Sequence, residues 1–298
     1  MDIFKLLDEL GKDKRALILY ALLNRIPIFI LGEESEKINE LVNELTDLIK
    51  FRKELVYYTD FISNQEYEEL IFNEYNDYNC SRVQVRCPTN VSNHLLNDFD
   101  NYDSMVIGIK RSTSKKDLKS FQGTINRRIK KHIDILLKYE KVEMYEEGID
   151  KKTINLSIEE NIFQKISEDT ERSINKMKRV LSEELRKKQV EKGLEEALLD
   201  FELEKREIKK NILYKEIQNF FSGAKRAFFI LLKLKLIDQM QLESKIGSRT
   251  LLETIDYTEA PIERILSFIK VEWREDLSNL IENNKLTLIG EKIQSFWG

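Results

Sequence analysis

Hydrophobic and polar positions follow two rhythms in the first half of this chain. Short apolar runs rich in β-branched and aromatic residues recur at Ile26–Leu31, Leu55–Thr59, Arg82–Cys87 and Met105–Ile109. Between them the apolar residues fall back to a spacing of three or four. Residues 35–49 set Ile38, Leu41, Val42, Leu45 and Ile49 on one face. Residues 64–72 do the same with Tyr67, Leu70 and Ile71, and residues 90–99 with Val91, Leu95 and Phe99. The first rhythm is that of buried strands and the second that of amphipathic helices. Strands alternating with helices need crossover connections, so a mainly parallel sheet covered on both faces is predicted. A leading helix over residues 6–24 is expected to pack on it. The fold class is an α/β N-terminal domain over 1–141, with P-loop-like or Rossmann-like layering.

In such sheets ligands bind beyond the carboxyl ends of the strands. The first of these ends reads Gly32-Glu33-Glu34-Ser35-Glu36-Lys37. A phosphate cradle needs several glycines whose backbone N–H groups converge, then a lysine and a Ser/Thr. Here only Gly32 and Lys37 remain, and the glutamates repel phosphate while suiting the first turn of a helix. An intact phosphate loop is therefore not expected. The third and fourth strand ends are better anion candidates. Arg86, Cys87, Thr89 and Asn90 place a cation and a thiol beside a helix start, and Lys110 and Arg111 are expected on a neighbouring strand. His94 is the local histidine, but its spacing from Cys87 does not require it to face the thiol. Cys80, Cys87 and His94 are too few and too irregularly spaced for a structural zinc, so neither a metal nor a cofactor is expected.

Residues 115–141 carry Leu118, Phe121, Ile125, Ile129, Ile133 and Leu136 at helical spacing, which predicts one amphipathic helix. Its other side collects Lys115, Lys116, Lys119, Arg127, Arg128, Lys130 and Lys131. Residues 110–141 hold 11 Lys/Arg against 3 Asp/Glu, whereas residues 1–109 hold 11 against 20. A net charge of −4 for the whole chain thus hides one concentrated basic segment. Such a segment suits nucleic acid phosphates, anionic headgroups or an acidic protein face. No aromatic residues interleave with the cations, which argues against a platform for stacking single-stranded bases.

A connector is expected over 142–156, irregular or hairpin-like. Residues 157–221 read as long charged helices, a hairpin or coiled coil. Narrow apolar stripes run through Ile158, Ile162, Ile166, Ile174, Met177, Leu181 and Leu185, then Leu194, Leu198, Phe201, Ile208 and Ile212, with Gly193 as a candidate helix cap between them. Residues 222–298 read as a small α-helical domain, with Pro261 opening one helix. Within it Gln241–Ile255 resembles a helix-turn-helix, and residues 285–293 resemble the close of a winged helix. Glu253, Asp256 and Glu259 load the reading helix with acid, however. Residues 222–298 balance 11 basic against 11 acidic groups, so the footprint of a DNA reader is missing.

Composition narrows the classes further. Of 298 residues, 34% are charged, and only 10 Gly and 3 Pro are present, which favours long helices. No apolar run approaches the length of a membrane span, and two cysteines do not make a disulfide framework. An intracellular, cytoplasmic protein is the expectation. No catalytic constellation stands out. The leading reading is a non-catalytic assembly or adaptor protein with a protein partner or self-association. The alternatives are a nucleic-acid-binding protein that uses residues 110–141, and a nucleotide or anion binder at the strand ends.

Overall fold

The computed structural model describes residues 3–282, apart from 73, 75, 99–103, 140, 189–191, 243 and 259. It divides into two compact units. The first comprises Met1–Phe72 and Val83–Gln218, and the second Asn73–Arg82 and Asn219–Gly298.

The first unit opens with α1 (Ile3–Leu10) and α2 (Lys12–Leu23). The single leading helix of the sequence reading is interrupted at Gly11, whose φ of 78° lies in the left-handed region open to glycine. Alternating elements follow: β1 (Ile28–Gly32), α3 (Ser35–Asp47), β2 (Lys53–Val56), α4 (Asn64–Phe72), β3 (Val83–Cys87), α5 (Ser92–Asp98), β4 (Met105–Lys110), α6 (Lys115–Ile125), β5 (His132–Leu137) and β6 (Val142–Glu147). The strands form one six-stranded sheet in the order β2-β3-β4-β1-β5-β6. Every pairing is parallel except β5 with β6. From β1 the chain travels out to β2, steps back through β3 and β4, and then places β5 on the far side of β1.

The four expected strands are present, and the expected helix over 115–141 is corrected. It ends at Ile125, and its second half is β5, followed by β6 within the segment expected as a connector. The sequence His-Ile-Asp-Ile-Leu-Leu satisfies both rhythms, because Ile133 and Leu136 are spaced for a helix while Ile133 and Ile135 alternate as in a strand. A place beside β1 decides the matter: Ile133 and Ile135 pair with Ile28 and Ile30, and all are buried.

Every residue of β1 is buried because helices cover both faces of the sheet. Phe29 and Leu31 join a core with Tyr67 of α4, Leu95 of α5 and Phe121 of α6. On the opposite face Gly108 of β4 receives α3, and a β-carbon there would lie 2.8 Å from Ile38 Cγ2 and 3.2 Å from Val42 Cγ2. The amino ends of the strands are held by Arg52, which is buried. Its guanidinium donates to the carbonyls of Leu22 at 2.7 Å and Leu23 at 2.9 Å, in the last turn of α2, and to Ser104 Oγ at 3.0 Å. A cation at a helix C-terminus is also favoured by the helix dipole.

Long helices complete the first unit: α7 (Ser157–Lys187), α8 (Lys192–Leu198) and α9 (Glu202–Gln239), the last shared with the second unit. The chain reverses between α7 and α9, and Lys165 reaches Glu216 at 3.4 Å. Gly193 lies inside α8 and does not cap α7, which ends at Lys187. The proximal part of α7 buries Ile158, Ile162, Phe163, Ile166 and Ile174. Beyond that the pair becomes an arm. Between Ile174 and Leu213, the one buried residue among those described is Leu185.

The second unit adds β7 (Ile246–Gly247), α10 (Ser248–Thr254), α11 (Ile262–Trp273) and β8 (Ile281–Glu282). Its core is aromatic. Trp273 stacks on Phe228 at 4.6 Å, and Phe220 meets Phe268 edge-on at 4.9 Å. The segment ahead of β3 belongs here, with the buried Arg82 donating to the Glu272 carbonyl at 3.2 Å and Tyr78 donating to Glu275 at 2.7 Å. Pro261 stands at the N-cap of α11 as expected. The helix-turn-helix outline is not formed, since Ile246 and Gly247 are strand where its first helix would run. The stretch 285–293 lies outside the described residues.

Candidate functional site

The topology points to the carboxyl ends of β1, β4 and β5, where the order of the sheet reverses. Gly32 stands opposite Lys110 and Leu137 there, and the Arg111 amide donates to the Gly32 carbonyl at 2.8 Å. Only Glu33 and Glu34 separate β1 from α3, so the turn has no run of amides with which to wrap a phosphate. The space above Gly32 is filled by the chain itself: a β-carbon would lie 3.2 Å from Leu137 Cβ and 3.4 Å from Ile38 Cδ1. Lys37, the other remnant of the motif, is paired with Glu34 at 2.7 Å.

Beside this turn lies a cavity of about 370 Å³ whose wall includes Lys5, Glu9, Glu33, Lys138 and Tyr139. Sequence reasoning misses it, because it depends on the hairpin that β5 forms with β6, and the sequence pattern of β5 predicts helix. Its charges are largely internally balanced. Lys138 and Lys141 both pair with Glu143, and their hydrogen bonds, with one from the Tyr145 hydroxyl, hold the Glu143 carboxyl down at about 2.

The structure does bring the third and fourth strand ends side by side, but it disperses the anion candidates among other tasks. Arg86 donates to Glu54 at 2.6 Å and to Asn43 at 2.9 Å. Cys87 points to the opposite face of the sheet, as neighbours in a strand must, and is buried in the core with Val91 and Leu95. Burial pushes its thiol up to about 12, which removes the thiolate that nucleophilic chemistry needs. The Thr89 amide is taken by Asn39 Oδ1 at 2.9 Å. α5 begins only at Ser92, so neither Thr89 nor Asn90 is its cap, and Asn90 is exposed. Lys110 is exposed, and Arg111 lies over the Phe121 ring at 5.7 Å. His94 is exposed beside Tyr58 and does not join Cys87. Among the described residues no group of three His, Cys, Asp or Glu could hold a metal ion.

No family model, curated protein or solved structure matches this chain.

The basic candidates have a different fate from the anion set. Lys116 and Lys119 lie on α6, whose first residue is Lys115, while Arg127, Arg128, Lys130 and Lys131 occupy the turn into β5. Apart from Lys115, whose side chain lies outside the described residues, all are exposed. Arg128 donates to the Leu96 carbonyl at 2.7 Å.

One buried polar group had no signal in the sequence. His132 and Asp134 sit on the same face of β5, both buried, with Nε2 and Oδ1 3.7 Å apart. Gln122 donates to the other Asp134 oxygen at 3.0 Å, and the His132 ring meets Phe29 edge-on. Burial drives the His132 pKa down and the Asp134 pKa up. Their depth in the core makes them structural rather than substrate-facing.

Proposed function

We propose that the protein is a non-catalytic assembly or adaptor protein, built on a nucleotide-binding-like sheet without its phosphate loop and using the α7–α9 arm to bind other proteins. The observation that carries this reading is the exposure of apolar side chains along the distal arm. Val180, Leu194, Leu198 and Leu203 are 54%, 55%, 43% and 79% exposed. Long helices that leave apolar residues in water gain little from their own burial, and such surfaces mark places where other chains dock. The sheet contributes the negative half of the argument: the turn after β1 is short, acidic and covered by Leu137 and Ile38.

Size-exclusion chromatography with light scattering tests the arm directly. The expected result is a mass above that of one chain, reduced when Val180, Leu194, Leu198 and Leu203 are replaced by serine. A monomer at every concentration, with a partner screen unaffected by those substitutions, would remove the reading. Calorimetric titration with ATP and GTP, with and without magnesium, tests the sheet. No heat of binding is expected, and saturable binding coupled to hydrolysis would overturn the non-catalytic assignment.

A further inference from the structure

We propose that the outward face of α6, with the turn that follows it, is a binding surface for the phosphate backbone of a nucleic acid. The core face of the helix is set by Phe121 and Ile125, which are buried. At 100° per residue, Lys116, Ser120 and Gly123 project from the opposite side, with Lys119 and Thr124 flanking them, and all five are exposed. Arg127, Lys130 and Lys131 continue past the helix end. Residues 110–131 contain nine basic residues and a single acidic one, in a chain whose net charge is −4.

Among the described residues Lys116, Lys119, Arg127, Lys130 and Lys131 have no salt-bridge partner, in contrast to Lys37, Lys138 and Lys141, each of which has found a carboxylate. The one acid in the segment, Asp117, is engaged by the Ser114 hydroxyl at the helix start, and that hydrogen bond holds its carboxyl below the usual range. Leaving so many like charges unpaired is costly unless a polyanion meets them.

The shape of the face selects the partner. Between the cations lie Ser120, Gly123 and Thr124, and a β-carbon built on Gly123 meets nothing within 4 Å. A backbone can approach such a surface closely. No large apolar or aromatic residue stands on it, so there is neither an anchor of the kind protein interfaces use nor a wedge for a lipid surface. The helix from Lys119 to Ile125, between the cations on α6 and those beyond its end, spans about 9 Å, nearly three base-pair rises along one strand of a duplex. Without aromatic side chains the surface reads phosphates rather than bases, which implies binding with little sequence preference.

The test is fluorescence anisotropy with a random-sequence single-stranded DNA and the matching duplex, at several salt concentrations. Five phosphate contacts give a log–log salt slope of about −3.5 on a single strand, a loss of roughly a hundredfold between 50 and 200 mM salt. The triple change Arg127→Glu, Lys130→Glu and Lys131→Glu should shrink that slope by about 2 and weaken binding at every salt concentration. The milder pair Lys119→Gln and Lys131→Gln should do so in part, with unfolding curves confirming that both proteins are folded. Reversing Lys176, Lys178 and Arg179, exposed on α7, should leave binding unchanged. Absence of binding at low salt, equal loss in the α7 control, or preference for poly-glutamate over both nucleic acids would overturn the proposal. Oligomer mass is read separately, so failure here leaves the arm reading standing.

Discussion

Replacing Arg52 with methionine should be among the most destabilising changes available in the first unit. The side chain is 4% exposed and spans three elements: the end of α2, the start of β2 and Ser104 ahead of β4. Methionine fills similar space but donates nothing. It would leave the Leu22 and Leu23 carbonyls, already among the orphan acceptors of a helix end, without these donors in a buried setting. Leaving buried acceptors without their donor costs about 1–3 kcal/mol for each group, so the two carbonyls together are expected to cost about 2–6 kcal/mol. That is a large share of the roughly 5–15 kcal/mol by which a domain is stable. Urea unfolding followed by far-ultraviolet circular dichroism gives the midpoint, and amide exchange in the last turn of α2 localises the effect. Arg52→Lys should fall between, because one ammonium cannot reproduce the fork that reaches both carbonyls. A loss below about 1 kcal/mol for Arg52→Met would show that the buried network contributes no more than a typical single hydrogen bond.

Gly108→Ala should cost about 1–3 kcal/mol by forcing α3 off the sheet, whereas Gly123→Ala, with open space at its Cβ, should stabilise by roughly 1 kcal/mol; thermal unfolding of the two variants gives the comparison. The His132–Asp134 group makes stability depend on pH through two opposed contributions. Burial holds the His132 pKa below 6.5, so its contribution is present above pH 6.5 and is lost as pH falls through the folded value. Burial raises the Asp134 pKa above 3.8, so its contribution is lost as pH rises through that folded value. Gln122, Phe29 and Glu147 face or adjoin the pair, and His132→Asn should flatten the acid limb of a plot of urea midpoint against pH. Iodoacetamide at mildly alkaline pH should alkylate the exposed Cys80 slowly, because its thiol donates to Asp77, and should reach the buried Cys87 only in urea; mass spectrometry distinguishes the two sites.

Much of the α/β layer was legible because β1 and β4 are nearly continuous apolar runs, β3 alternates apolar with polar residues, and α3 has a clean amphipathic face. The misreading at 126–141 has a definite cause. Apolar residues at 129, 133 and 136 obey the helical period, and only the slot beside β1, which is a tertiary fact, selects the strand. The cavity at the strand ends was invisible for the same reason, since Lys138 and Tyr139 were assigned to a helix. The anion candidates were placed on the correct strand ends. Their side chains were nonetheless claimed by Glu54, Asn43 and the hydrophobic core, none of which a local pattern reveals. Arg52 and the His132–Asp134 pair carried no local signal at all, because a buried polar residue is recognisable only by what surrounds it.

The ten residues Asn73–Arg82 belong to the helical unit although they precede β3 in the chain. Arg82 and Tyr78 must therefore wait, during synthesis, for Glu272 and Glu275 to emerge before their hydrogen bonds can form. The helical unit cannot complete itself as a late, independent event. Its assembly closes a long loop that contains most of the sheet, and any genetic truncation that begins at Asn219 removes two of its internal ties.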